Sequence, residues 1–315
     1  MAPTPLSGYK GASMPMQLFP VLLLLAADAA SGTKGQADLY GRVVDRALER
    51  AQANLIGATD LWVDHSRWEN AWIVESERYQ VRTTHSRHLA LEIAQNLEYM
   101  HGEFVKLLGP GGPPPRKFRV WIFPELAAYN EFGNQRGAEH SSSYGSFYAS
   151  EDPDQPVATY YTPNATLLGM WLTHAATHQY VEQCFARPLP LWASEGLASY
   201  FALFWDWSYG SRELRRIADG AGYVPLDRLL RDPIEAYVGG ADVRFVELGM
   251  LFHYLLNHRE DMKTRAGEGV ETAPFRDYLR ALVRGNASPT PPFWKADEQA
   301  VGLEQAFKAF DFSAR

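Results

Sequence analysis

Residues Thr173–Phe201 read THAATHQYVEQCFARPLPLWASEGLASYF, two helical patterns separated by Pro188 and Pro190. The apolar spacing predicts a helix over Thr166–Phe185 and a second from about Pro190 to Phe204. The prolines end the first helix and allow the chain to reverse. His174 and His178 are four residues apart, so both rings lie on one helix face, about one turn from each other. Two imidazoles placed this way can converge on one zinc ion, although such a pair alone also arises for packing. The reversal adds a third donor, because it carries Glu195 back across the two histidines. Two histidines, one glutamate and a water form a catalytic zinc geometry with one open position. Gly196 beside Glu195 lets another part of the chain approach closely. Taken by itself, Glu195 would be an ordinary first-turn carboxylate favoured by the helix dipole.

Working outward, short strands are predicted at Leu61–Val63, Ala71–Val74 and Tyr79–Val81, after a helix at Tyr40–Ile56. Ala90, Ile93, Ala94, Leu97, Met100, Phe104 and Leu107 recur at helical spacing within Thr83–Leu108. A Gly/Pro stop at Gly109–Pro115 precedes a strand at Phe118–Phe123 and a short helix at Pro124–Phe132. Ser143–Ala149 and Val157–Tyr161 read as a hairpin or edge strands. Beyond the reversal, helices are predicted at Val243–Leu256, Pro274–Val283 and Leu303–Phe310. Strands come first and helices dominate later, so the fold class is α+β and not a doubly wound sheet. The division is residues 1–30 as a signal peptide or flexible extension and 36–315 as the folded domain. Within it, 36–186 is an N-terminal lobe carrying the HxxxH helix, and 187–315 a helical lobe carrying the Glu ligand.

The chain has 315 residues with a formal net charge of -7, 46% hydrophobic residues and 13% aromatic ones. Aromatic content at this level belongs to globular chains and not to disordered ones. Mild acidity gives no footprint for nucleic acid. The single Cys excludes internal disulfides and Cys-rich zinc sites, which leaves any metal to the 9 His and the carboxylates. No Gly-rich nucleotide-binding loop occurs. The apolar run Leu18–Ala27 is too short to span a bilayer, so no stable transmembrane anchor is expected there. Small residues follow it, which is signal-peptide grammar, so the expected location is secreted or periplasmic, and otherwise cytoplasmic. Asn164-Ala165-Thr166 and Asn286-Ala287-Ser288 match the glycosylation acceptor pattern. The first is better placed as a lead into the long helix, with Thr166 at its N-cap.

The stretch Thr173–Phe201 resembles the gluzincin-type zinc peptidases of the peptidase-MA-like kind. The matching residues are His174, Ala176, Thr177, His178 and Gln179, then Pro190, Trp192, Glu195, Gly196, Ala198, Tyr200 and Phe201. The resemblance implies a zincin fold, with a small mixed sheet packed on the metal-site helix and a mainly helical C-terminal part. It implies Zn2+ held by His174, His178 and Glu195, and a peptide or protein as substrate or ligand. An extended substrate would run antiparallel to an edge strand beside the metal helix, with Ser143–Ala149 and Val157–Tyr161 as the candidates. Ala175 departs from the pattern, because it stands where the family has the general base that activates zinc-bound water. A methyl group accepts no proton. Three explanations are open: an engineered inactivating change, a natural pseudoenzyme, or another carboxylate in the role. Glu182, Glu139 and His140 are the candidates for the last.

Ser199, four residues after Glu195, is a candidate to hydrogen-bond the outer nitrogen of a ligating histidine. Tyr237 and His253 are candidates for stabilising an oxyanion. Trp192 is expected to pack the reversal against the core. The expected function is zinc-dependent peptide-bond hydrolysis of gluzincin type, inactive or strongly impaired because Ala175 replaces the general base. The alternatives are a non-catalytic pseudopeptidase that binds peptide or protein, and a non-peptide zinc hydrolase. The sequence leaves the oligomeric state open.

Overall fold

A computed structural model describes residues 64–136, 145–185, 188–218, 222–231, 241–257, 275–290 and 297–310. The chain divides into two compact units, Met1–Trp62 and Val63–Arg315, and every described residue belongs to the second. The expected signal segment, the Tyr40–Ile56 helix and the Leu61–Val63 strand lie outside the described residues.

The second unit opens with strands β1 (Trp72–Glu75) and β2 (Tyr79–Thr83), then helix α1 (Arg87–Leu108). Strand β3 (Phe118–Phe123), helix α2 (Leu126–Asn134), and strands β4 (Ser146–Tyr148) and β5 (Pro156–Tyr160) follow. The rest is helical: α3 (Ala165–Cys184), α4 (Leu191–Ala202), α5 (Trp207–Ala218), α6 (Leu226–Arg231), α7 (Ala241–Asn257), α8 (Phe275–Val283) and α9 (Asp297–Lys308). The architecture is α+β, as the strand-first, helix-later pattern implies.

The sheet has five strands in the order β1-β2-β3-β5-β4. β2, β3 and β5 are parallel, and the two edge strands β1 and β4 are antiparallel to their neighbours. Val81, Val120 and Val157 lie in register across the three central strands and are fully buried. Such β-branched residues suit a pleated surface covered on both faces. On one face α1 contributes Ala90, Ile93, Ala94, Leu97, Met100 and Phe104, the stripe read from the sequence. On the other, Phe123, Tyr129, Phe132 and Ala158 form a smaller cluster beneath α2.

Helix α3 is buried on nearly every side, which is why its sequence shows little amphipathic contrast. Its N-cap is Asn164, whose Oδ1 accepts from the Leu167 amide at 3.0 Å; Thr166 lies inside the helix. Asn and Asp lead at this position because a short side-chain oxygen reaches the free amides. Three contacts tie α3 to the sheet. Ser146 of β4 donates its hydroxyl to the Trp171 carbonyl at 2.7 Å. Gly145 has φ of 69°, and a Cβ there would strike the Trp171 ring, so only glycine lets the strand start so close. Buried Gln179 donates to the Arg119 and Gln155 carbonyls at 3.1 and 2.8 Å, pinning β3 and the turn before β5.

Pro188 and Pro190 separate α3 from α4, which packs on both α3 and α7. Trp192 is buried at the start of α4 and donates its indole N–H to the Pro289 carbonyl at 3.2 Å. The space left by Gly196 is filled by the ring of Phe252 from α7. Helix α5 has no counterpart among the sequence expectations. Gly210 weakens its propensity, and its buried stripe is only Gly210, Ser211, Leu214 and Ile217. No helix among the described residues is long and apolar enough to cross a membrane.

Gly196→Ala sets two effects against each other. Alanine gains up to about 1 kcal/mol of helix propensity. The added methyl collides with the fully buried Phe252 ring, and overpacking of this kind costs about 1–3 kcal/mol. The expected outcome in urea denaturation is a net loss of stability.

Candidate metal centre

The reversal between α3 and α4 brings His174, His178 and Glu195 together. His174 Nε2 and His178 Nε2 are 3.2 Å apart. Glu195 Oε2 is 3.4 Å from His174 Nε2, and its Oε1 is 3.5 Å from His178 Nε2. One donor atom from each residue lies within 4.8 Å of the others, a group that can hold a metal ion. The two glutamate distances run to different oxygens of one carboxylate, and all three separations are close to those of donors that share a cation. Donors 2.0–2.2 Å from a tetrahedral centre stand roughly 3.3–3.6 Å apart. The three side chains keep 16%, 21% and 28% exposure, so solvent has access to the position the protein leaves open.

Burial sets the charge state. It pushes His178 down to about 4, against the attraction of Glu195, so the ring is neutral at pH 7 and has a lone pair to give. Burial alone would raise Glu195, but the attraction of His178 and a hydrogen bond from His174 outweigh it and hold the carboxyl at about 2. The site therefore offers a neutral His178 imidazole and the Glu195 carboxylate, forms that a metal can bind.

The other expected residues divide. A hydroxyl does meet a ligand ring, but it belongs to Ser194, whose Oγ is 3.0 Å from His178 Nδ1. Ser199 is fully buried and its Oγ has no hydrogen-bond partner, so it orients neither ring. The sequence signal for Ser194 was its place next to Glu195, on the turn facing the histidine helix. His174 Nδ1 is also buried without a partner; its ring lies 5.2 Å from that of Phe245 on α7. His253 is eight residues further along α7, about 12 Å by the helical rise. Its ring packs 4.3 Å from Trp207, and Asn257 contacts its Nδ1 at 3.1 Å, so it does not face the metal position. Glu182 is exposed, and burial and Glu151 raise its carboxyl; it stands outside the donor group. Tyr237, Glu139 and His140 lie outside the described residues.

Ala175 has 1% exposure and belongs to the main core. Among the described residues, no further His, Cys, Asp or Glu joins the three donors. No protein-family model matches the chain, and no curated protein or solved structure matches it.

The shift of His178 has a sign that stability can read. Its ordinary value of 6.5 falls to about 4 on folding, so between these values the unfolded chain binds more protons. Stability is then lost as pH drops through that window. His101, also held at about 4 by burial, acts in the same direction, whereas Glu247, raised to about 8 by burial, acts oppositely above pH 4.5. The comparison that isolates His178 is the metal-free chain against His178→Asn. The expected outcome is a stability difference that shrinks steadily from pH 6.5 to pH 4, measured by denaturant titration.

Proposed function

We propose that this chain is a zinc-binding domain of gluzincin type that keeps the peptidase ligand set and lacks its general base. The observation that carries this is the three-donor geometry of His174, His178 and Glu195 across a helix reversal. Further support comes from β4, an antiparallel edge strand lying beside the histidine helix. Among the described residues the outer edge of β4 is unpaired, and it can pair with an extended peptide through backbone hydrogen bonds, with alternate side chains meeting the surrounding surface. The Leu18–Ala27 run supports action outside the cytoplasm.

In this account His174 and His178 donate through Nε2, and Glu195 supplies the negative charge. Bound zinc would lower the pKa of its water and polarise a scissile carbonyl. Ala175 can neither take a proton from that water nor deliver one to a leaving amine. Loss of a positioned base costs roughly 10²–10⁴-fold in rate. The same cleft serves the alternative role of holding a peptide without cutting it. Among the described residues, the ring that α7 sets against His174 is Phe245, which carries no hydrogen-bond donor for an oxyanion and so favours that role.

The test compares the chain with Ala175→Glu and Ala175→Gln on a broad peptide panel, with zinc content measured by emission spectrometry. All three are expected to carry stoichiometric zinc. The parent and Ala175→Gln should turn over near the blank, and Ala175→Glu should gain about 10²–10⁴-fold. Absence of zinc from all three would overturn the ligand assignment. Equal inactivity of all three with zinc bound would favour the binding role.

A further inference from the structure

We infer that Ser194 is the positioning residue that fixes the His178 ring for metal binding, so that α4 supplies both a ligand and the group that aims another ligand. This rests on the metal centre proposed above. Ser194 and Glu195 are consecutive, and they address opposite nitrogens of one ring. Ser194 Oγ is 3.0 Å from Nδ1, while Glu195 Oε1 is 3.5 Å from Nε2.

A helical serine commonly turns its hydroxyl to solvent or back to the carbonyl four residues earlier. That carbonyl here is Pro190, which accepts from the Ser194 amide at 3.0 Å. The Ser194 hydroxyl is engaged with the histidine instead. A ring flip of His178 would put a carbon in the place of Nδ1 and lose the contact. With a cation on Nε2, the ring proton must sit on Nδ1, where Ser194 Oγ accepts it. The hydroxyl thereby selects the ring orientation and favours the tautomer that leaves a lone pair on Nε2. Among the described residues His174 Nδ1 is buried without a partner, so the two histidines are held by different means. Packing against Phe245 steadies one ring, and a hydrogen bond steadies the other.

The experiment measures zinc affinity by chelator competition for the full chain, Ser194→Ala, Ser194→Thr and Ser199→Ala. It also follows the His178 Nδ1 proton in zinc-loaded samples by NMR. Ser194→Ala is expected to bind zinc about 10–100-fold more weakly, the usual cost of losing such a partner. Its Nδ1 proton should exchange rapidly with water, whereas the parent's should be protected. Ser194→Thr, which keeps the hydroxyl, should restore both readouts, and Ser199→Ala should match the parent. Unchanged affinity and unchanged proton protection in Ser194→Ala, with the parent binding zinc, would overturn the role of Ser194 alone. A parent that takes up no zinc would overturn the centre itself and this assignment with it.

Discussion

Two imidazole nitrogens 3.2 Å apart, faced by a carboxylate whose two oxygens lie 3.4 and 3.5 Å from them, repel one another unless a proton or a cation lies among them. The fold makes that arrangement rigid. Helix α3 is buried on nearly all sides, and the Ser146–Trp171 bond and Gln179 bind it to the sheet at points about two turns apart. Helix α4 is set against it by the proline-bounded reversal and locked by the Phe252 ring in the gap at Gly196. Neither helix can retreat to relieve the crowding without opening the core. A bound cation would resolve the repulsion.

Much of this was legible in the sequence, for physical reasons that differ by element. The i, i+4 pair places His174 and His178 on one face whatever else the chain does. Pro188 and Pro190 force the break that brings Glu195 back. The α1 stripe is legible because one of its faces packs on the sheet and the other meets water, so the pattern repeats at 3.6 residues. Helix α5 is less legible, because a glycine and a serine occupy half of its buried stripe. The strand register was beyond reach, since it depends on partners distant in the chain, such as Val81 with Val120 and Val120 with Val157.

The misplaced site residues share one cause. Ser199 and Ser194 both flank Glu195, and sequence spacing alone favours the residue one full turn away. The position of His178 relative to α4 decides for Ser194, and that is a tertiary fact. His253 sits on the helix that reaches the site, but the contact point is Phe245, and the helical rise carries His253 into the aromatic packing around Trp207. Ala175 is different in kind. Its identity is plain in the sequence, and the structure adds that the position is buried within the core and that, among the described residues, no further acidic side chain joins the three donors.

The most direct measurement of the central claim is the X-ray absorption spectrum of the zinc-loaded chain at the metal edge. The account predicts a first shell of nitrogen and oxygen at about 2.0–2.2 Å, with multiple-scattering features from two imidazoles that fall to one in His178→Ala. A spectrum without imidazole scattering, or one left unchanged by His178→Ala, would contradict it.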